Sequence, residues 1–337
     1  MFDRRLVGTL IGALAFFVIV QAAITAGLMN TYQQVVLTYA CIFITYALGL
    51  NIIYGYNGQF SLGHAAFYGL GAYSSALVTK MFIGDSQLLF PVALLAGGAV
   101  AAALGFLIGL PILRLRSDYL GIATLGFGVI VKVLFDNADN IIPAMGGARG
   151  MTGIPKVTSF AWAFFVALLA YTLARNLIYS SHGRAIISVR EDEIAADTMG
   201  IDTTKYKTLA FVVGCFLAGI AGGLYAHLYV FLAPTSFDFL KSIDVLMVVV
   251  LGGLGSMTGT IIAAVGWIFL LEGLRIVLPQ EFLDWRMVIY PLVLMIVMLV
   301  RPRGLMGNLE IGSLKPPSIK RRLTAGSPPA QQAEPSK

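Results

Sequence analysis

The chemically richest part of this 337-residue chain is one polar stretch, residues 183–200, with the sequence GRAIISVREDEIAADTMG. It mixes apolar or small residues with six charged ones. Nothing in it breaks a helix before Met199, and Gly200 supplies a natural C-terminal stop. A short charged helix with one apolar side, held between strongly apolar regions, is suited to bind in a partner's groove. A solvated loop helix is the alternative that composition alone favours.

Few titratable residues lie within the apolar segments. Two oppositely charged pairs are spaced three residues apart, Lys241 with Asp244 and Glu272 with Arg275. Each pair can neutralise itself on one helix face, whereas ion-coupled carriers usually need unpaired acids deep in a bundle. His64 is the clearest remaining titratable group, and we interpret it as a hydrogen-bonded packing residue in preference to a proton relay.

Several kinds of chemistry are excluded by motif. The sequence contains no GxxxxGK[ST] loop, so it cannot cradle ATP phosphates in the P-loop manner, and an ATPase would have to be another polypeptide. The glycines of residues 252–259, GGLGSMTG, do not have the spacing of a dinucleotide-binding motif. Neither the two cysteines nor the three scattered histidines have metal-ligand spacing.

Composition identifies the class of protein. Hydrophobic residues make up 58% of the chain and charged residues 12%, with a mean hydropathy of +0.84. A soluble domain carries about 25% charged residues. The sequence therefore predicts an all-α polytopic membrane protein. The net charge of +6 does not indicate nucleic-acid binding, because the basic residues sort by membrane side.

The hydropathy pattern predicts about ten transmembrane helices. The first apolar run, 6–28, resembles a secretory signal but is long enough to span, and we interpret it as an uncleaved helix. Residues 241–254 are too short to cross upright alone. With the following segment they form either two spans or a re-entrant hairpin over 241–277, and we predict two spans. The remaining spans are predicted at 35–54, from the end of the glycine-rich stretch 57–71 to about residue 82, and at 88–110, 119–135, 159–178, 208–230 and 287–300.

Basic residues set the orientation. Sixteen of the 23 lysines and arginines fall on one side if both termini and residues 183–200 face the cytoplasm, which the positive-inside rule favours. We predict a transmembrane domain over residues 1–310, with a cytoplasmic loop at 181–207. Residues 311–337 are polar and basic, and we predict a disordered cytoplasmic tail.

Two glycine-broken segments, 57–71 and 241–259, occupy corresponding positions in the two halves of the chain. This placement permits an inverted repeat and is typical of a midplane pathway. A plain cytoplasmic turn is the alternative for the start of the first segment. A pathway for a small solute with an apolar side chain needs mild polarity and little bulk, although any one glycine could equally serve helix packing. The candidate pathway residues are Gln59, Ser61, Gly63, His64, Thr124, Gly126, Gly128, Gly252 and Gly255.

Three stretches resemble a known family. The order AADTMG after three acidic residues resembles the cytoplasmic coupling loop of ABC importer permeases, which fits a cleft on the ATPase subunit. Residues 183–202, 58–73 (GQFSLGHAAFYGLGAY) and 146–155 (GGARGMTGIP) are similar to branched-chain amino acid permeases of the M type. The resemblance covers residues 48–304.

The resemblance implies a type II ABC-importer-like permease subunit, not an enzyme, in the bacterial inner membrane. Its implied partners are a second, H-type permease, two ATPases and a periplasmic binding protein that delivers leucine, isoleucine or valine. No cofactor is implied, since the partner subunits use the ATP. Urea, short amides or other amino acids are alternative substrates. A self-sufficient secondary carrier or channel is the alternative of a different class.

The resemblance also implies roles for two groups of residues. Ala195, Ala196 and Gly200 are expected to form a small face against an ATPase. Ile194 stands where a strict Glu-Ala-Ala motif has its glutamate, with Glu193 adjacent. The expected ATPase-coupling residues are Arg190, Glu191, Glu193, Ala195, Ala196 and Gly200. The expected residues for docking a binding protein are Gly147, Arg149 and Gly150.

Overall fold

The computed structural model describes residues 4–84, 86–113, 117–277 and eleven scattered positions between 292 and 310. The predicted last span, 287–300, lies largely outside the described residues, and the predicted tail, 311–337, lies entirely outside them. The α-helices are α1 (Arg4–Thr25), α2 (Thr31–Leu50), α3 (His64–Val78), α4 (Phe90–Ile112), α5 (Ser117–Asp136), α6 (Phe160–Ile178), α7 (Ser181–Glu191), α8 (Glu193–Thr198), α9 (Thr203–Tyr229), α10 (Phe239–Gly252) and α11 (Met257–Val277).

Five stretches are long and apolar enough to cross a membrane: Thr31–Tyr56, Phe90–Ile112, Tyr119–Asp136, Phe160–Ile178 and Thr203–Tyr229. Each coincides with a predicted span. α1 and α11 carry further apolar stretches, Ile11–Thr25 and Met257–Gly273. The all-α polytopic membrane fold is thereby confirmed. The count of ten crossings stays a prediction, as does the choice of two spans for 241–277.

α9 is the central helix and packs against α2, α3 and α4. Glycines permit these close contacts. A Cβ atom at Gly49 of α2 would lie 2.7 Å from the carbonyl oxygen of Gly214, and one at Gly71 of α3 would collide with the backbone of Gly219. Lipid tails are as apolar as leucine, so close backbone packing holds membrane helices together. Much of the high glycine content therefore serves packing.

The chain reverses sharply after α2. This helix continues as a π-helix, Asn51–Tyr56, and Gly58 then turns the backbone with a φ of +73°. Residues 57–63 are not helical, and His64 stacks on Tyr46 with 5.0 Å between ring centroids. Tyr46 lies ten residues before Tyr56, the end of the π-helix, and is therefore well inside the apolar span. The segment 57–63 is thus buried non-helical backbone at membrane depth, and is not the plain surface turn of the alternative interpretation.

The two polar loops of the chain lie at opposite ends of α9. The loop between α5 and α6 is joined to the segment after α9 by paired backbone hydrogen bonds of Met151 and Leu232, 2.8 and 3.0 Å long. The α7–α8 pair directly precedes the start of α9. α9 has 27 residues and is about 40 Å long, which exceeds the hydrocarbon thickness of a bilayer.

This separation predicts labelling from opposite sides of the membrane. Ala148 and Thr198 are exposed and lie in the two loops. Single cysteines at these positions, in a parent with Cys41 and Cys215 replaced by alanine, should react with an impermeant maleimide from opposite faces. Intact cells and inside-out vesicles provide the two measurements, and the cysteine-free parent gives the background. Reaction of both cysteines from the same face would contradict the arrangement.

Candidate functional site

The polar stretch forms two helices, not the single helix predicted. Ser180 begins α7, its hydroxyl accepting a hydrogen bond from the Gly183 N–H at 3.2 Å. Asp192 then has an extended backbone, with φ −157° and ψ 110°. Its carboxylate accepts hydrogen bonds from the N–H groups of Ile194 and Ala195, both at 3.0 Å. The break occurs because aspartate caps a helix N-terminus better than it continues one.

Gly200 ends α8 as predicted. Its φ is +82°, the left-handed conformation that glycine adopts without strain. The N–H of Ile201 bonds to the carbonyl of Ala196 at 3.0 Å, and the N–H of Gly200 to that of Asp197 at 2.9 Å. These two hydrogen bonds form a Schellman motif. α8 is therefore a short helix with both of its ends capped by local groups.

The faces of the two helices differ from the predicted arrangement. Ile186 and Val189 of α7 are buried against the membrane helices. Ala196 is only 4% exposed, so it faces this chain and cannot form a partner surface with Ala195 and Gly200. The prediction that Ala196 contributes to a small, partner-facing surface is therefore wrong.

The exposed tip of α8 is apolar. Ile194 is 78% exposed and Met199 is 81% exposed, with Ala195 and Gly200 exposed between them. We call these four residues the α8 tip. An exposed apolar surface outside the helical bundle is a candidate interaction site.

Arg190 points inward from α7. Its Nη1 donates to the carbonyl oxygen of Gly55 at 2.6 Å, and its Nη2 contacts the Glu191 carboxylate at 2.5 Å. Its side chain also packs on Gly58, where a Cβ would lie 2.8 Å from Cγ of Arg190. Arg190 therefore holds the external helices to the turn after α2.

A second connection brings both glycine-broken segments together. Asn51 donates to the carbonyl of Ser256 at 3.2 Å and accepts from the N–H of Gly255 at 3.2 Å. Gly55 leaves no room for a side chain beside Asn51 and Gly255. We call Asn51, Gly55, Arg190, Gly255 and Ser256 the glycine junction. Sequence reasoning missed Asn51, although an isolated asparagine in an apolar run is a usable signal.

Glu193 and Lys207 form a further link between the loop and α9. Their side chains meet at 2.5 Å, and Lys207 is the more buried partner. The carbonyl of Lys207 accepts a hydrogen bond from Asn57 at 3.4 Å. Glu191 remains mostly exposed. The charged residues of the α7–α8 pair thus join it to two different membrane helices.

The structure brings together some of the predicted pathway residues. Gln59, Ser61, His64 and Thr124 are all buried. Thr124 of α5 accepts a hydrogen bond from the N–H of Leu62 at 3.1 Å. These side chains therefore lie along the non-helical segment and its contact with α5.

The predicted pathway glycines have three different environments. Gly63 packs on the carbonyl of Thr124, and Gly128 lies close to Gly63. Gly126 is exposed, with no atom near the position of a Cβ. Gly252 packs on Gly259, where a Cβ would lie 2.6 Å from its carbonyl carbon. The nine predicted pathway residues therefore do not line a single cavity, and Gly252 packs α10 against α11.

Two pairs of opposite charges involve described membrane helices. Lys241 and Asp244 meet at 3.8 Å, as predicted, and Lys241 also donates to the Tyr39 hydroxyl at 2.8 Å. Lys132 and Asp238 form a contact of 3.0 Å that the sequence did not predict. Burial raises the pKa of Asp238, but the hydrogen bonds from Lys132 and its own helix N-terminus hold it below the ordinary value.

Two other titratable side chains bear on the earlier predictions. Glu272 accepts a hydrogen bond from Tyr32, and the Arg275 side chain predicted to pair with it lies outside the described residues. His227 is held between the carbonyl of Gly223, at 2.7 Å, and the hydroxyl of Thr79, at 2.8 Å. His227 is thus a packing histidine.

The loop at the opposite end is held in place around Arg149. Gly147 and Gly150 are buried, and both have positive φ angles. Lys80 donates to the carbonyl of Thr152 at 3.0 Å, which fastens the loop to the end of α3. Arg149 is exposed on this ordered support. The two glycines therefore shape the loop, and Arg149 is the predicted docking residue that a partner can reach.

Within the described part of the chain, no group of three or more His, Cys, Asp or Glu side chains could hold a metal ion. The arrangement instead provides mechanical connections: an external helix pair joined by hydrogen bonds to broken segments inside a helical bundle. Together with the apolar spans, these features define a polytopic membrane protein.

Comparisons with known proteins agree with that class. The chain matches the family described as branched-chain amino acid transport system, permease component, over residues 33–299. It is 36% identical to the high-affinity branched-chain amino acid transport system permease protein LivM of Salmonella typhimurium, over 80% of this chain and 68% of that protein. No solved structure gives a significant match.

More distant relatives include a second kind of permease. The chain is 27% identical to LivH of Salmonella typhimurium, over 81% of this chain and 92% of that protein. It is 26% identical to BraD of Pseudomonas aeruginosa, over 83% and 96% of the two chains. The chain belongs to the branched-chain amino acid transport permease family. The resemblance seen in the motifs is confirmed, and the chain is a transport subunit, not an enzyme.

The glycine junction predicts a local effect of losing Arg190. In Arg190→Met the Gly55 carbonyl loses its charged donor, which costs about 1–3 kcal/mol for a buried group. Amide hydrogen exchange of residues 51–59 and 253–257 should become about tenfold faster. Arg184→Met is the matched control, because Arg184 is exposed on the same helix. Equal exchange in the two variants would show that Arg190 does not hold the junction.

Proposed function

We propose that this chain is the membrane-spanning subunit of an ATP-driven importer that moves branched-chain amino acids into the cell. The observation that carries the proposal is the α7–α8 pair: an exposed apolar tip outside the bundle, fastened by Arg190 to the broken segments inside it. The relatives are named as branched-chain amino acid permeases, which supports the substrate class.

In this proposal the α8 tip binds a cleft on an ATPase subunit. A helix of six residues is too short to be stable alone, and its caps and the Glu193–Lys207 contact support it. Ile194 and Met199 supply the apolar contact area. ATP binds and is hydrolysed on the partner, since this sequence has no P-loop.

In this proposal the glycine junction transmits a displacement of α7 to the membrane helices. A displacement of α7 pulls on Gly55 through Arg190, and Gly55 adjoins Gly255 and Asn51. The first non-helical stretch begins at Asn57, two residues after Gly55, and Gly255 lies in the second, between α10 and α11. Rigid contacts between an effector element and two flexible backbone breaks are suited to switch a pathway between two arrangements.

The pathway in this proposal runs beside the segment 57–63. Gln59, Ser61 and His64 supply mild polarity, and α5 separates them from the surface. Gly126 leaves a gap on the exposed face of α5, where a helix of a second permease subunit can approach closely. Similarity to both LivM and LivH supports a paired arrangement of that kind.

A periplasmic binding protein is the proposed partner at the opposite end. Arg149 stands exposed on a loop held by Lys80 and by the backbone pairing of Met151 with Leu232. An ordered, exposed arginine can steer an acidic surface into register. In this proposal the chain spans a bacterial inner membrane, and both termini and the α7–α8 pair face the cytoplasm, in accord with the distribution of basic residues.

Two alternatives remain distinguishable. Urea or short amides would use the same architecture, and the ligand of the partner binding protein decides between them.

A self-sufficient carrier would need an unpaired membrane charge, whereas Lys241 and Lys132, both in described membrane helices, are paired with Asp244 and Asp238. The exposed α8 tip would also have no role in such a carrier.

Coupling is tested by placing charge on the α8 tip. Ile194→Asp and Met199→Asp should leave the permease folded, because both side chains are exposed. Each should weaken ATPase retention roughly thirtyfold, which corresponds to about 2 kcal/mol. Co-purification of the ATPases and uptake of labelled leucine are the measurements. Thr204→Asp, exposed at the start of α9, is the control. Full uptake by either tip variant would exclude the coupling role.

Docking is tested at Arg149. Arg149→Glu should lower uptake several-fold at limiting binding protein and low salt, because it reverses the steering charge. Excess binding protein should restore the rate. Lys156→Glu removes another exposed positive charge near the same loop and serves as the control. If the two variants behave alike, Arg149 has no specific docking role.

A further inference from the structure

A cavity of about 250 Å³ lies directly beneath the break between α7 and α8. Its inner wall is the turn that follows α2, including Asn57 and Gln59. Its outer rim is formed by the exposed residues Glu191, Asp192 and Glu193. The volume far exceeds the ~30 Å³ of one water molecule in the liquid. A small organic molecule can therefore occupy the cavity.

Two amide side chains at the inner wall have unused hydrogen-bonding groups. Gln59 is 3% exposed, and neither its Oε1 nor its Nε2 bonds to any described residue. Asn57 is equally buried, and its Oδ1 has no partner within the same part of the chain. An unsatisfied buried polar group costs about 1–3 kcal/mol. These atoms belong to two residues that line the cavity, and they leave one donor group and two acceptors without partners among the described residues.

The remaining walls combine both signs of charge with an apolar region. Arg190 and Lys207 lie at one side, and the three acidic residues stand at the rim. Leu113, Leu120 and Val189 are buried and line the other side. Water requires no apolar wall, and a simple anion or cation would match one sign only. A zwitterion with an aliphatic side chain matches all three regions.

We propose that this cavity binds a free aliphatic α-amino acid from the cytoplasm. The ammonium group meets the acceptor oxygens of Asn57 and Gln59 and the acidic rim. The carboxylate meets Gln59 Nε2 and Lys207, and the side chain packs on Leu120. A bound amino acid bridges the turn after α2 and the α7–α8 break, so it stabilises this arrangement over any other. Accumulated product thereby slows further import.

This inference rests on the proposed function for the identity of the amino acid, while the cavity itself does not. The first experiment is binding to the assembled transporter without binding protein. Labelled leucine should bind saturably. Leucinamide lacks the carboxylate, 4-methylpentanoate lacks the ammonium group and glycine lacks the side chain. Each should compete at least about tenfold more weakly than unlabelled leucine, since each loses one of the three contacts.

The second experiment measures regulation. In proteoliposomes with the ATPases outside and loaded binding protein inside, leucine added outside should lower the transport rate. Gln59→Leu, which removes both unpaired amide groups, should raise the half-inhibitory leucine concentration about tenfold. Leu120→Phe, which fills the cavity, should act in the same direction. Gln87→Leu changes an exposed glutamine at the opposite end and is the control. Each rate is normalised to that variant's rate without added leucine.

The outcomes separate the two proposals. No ATP-dependent transport of leucine by the wild-type assembly would refute the proposed substrate, whatever the cavity does. Transport that proceeds normally, with no saturable binding of leucine and no inhibition from the ATPase side, would overturn the inference. Equal competition by all three analogues would also overturn it, because the cavity would then hold only water or an unselective solute.

Discussion

The structure depends on one constraint: the backbone of residues 57–63 leaves the helical conformation at membrane depth, where its polar groups need partners. The N–H groups of Gly58 and Gln59 bond back to the end of α2. The N–H of Leu62 bonds to Thr124, and that of Ala65 to Ser242 at 2.8 Å. Lipid offers no hydrogen bonds, so α5 and α10 must stand where they can supply hydroxyl groups.

The same constraint explains why the α7–α8 pair is firmly attached. The turn after α2 places the buried Gly55 carbonyl beside a second break at Gly255, and a guanidinium is well suited to bond it. Arg190 therefore has two structural roles: it stabilises the turn after α2, and it positions α7. A loop fixed in this way can transmit force, whereas a loop held only by chain connectivity would absorb it. The break at Asp192 leaves the α8 tip a separate unit beyond that attachment.

Some glycines permit close packing of two backbones and others leave an open helix face, and the sequence alone does not show which is which. Gly49, Gly71 and Gly252 each face another backbone at a distance that admits no side chain. Gly126 faces nothing within the described structure. Close packing of glycines makes the bundle rigid around α9, and rigidity is what lets a movement at the loop reach the broken segments.

The sequence by itself determined the membrane class, the helical spans, the capped end at Gly200 and the family, because hydropathy, helix caps and motifs are local properties. The break at Asp192 was also local, but its cap was overlooked in favour of helix continuity. Only the tertiary structure decided that Ala196 is buried, that Arg190 points inward and that Asn51 meets Ser256. Those contacts join residues more than a hundred positions apart or depend on which face packs, and neither local pattern nor composition carries that information.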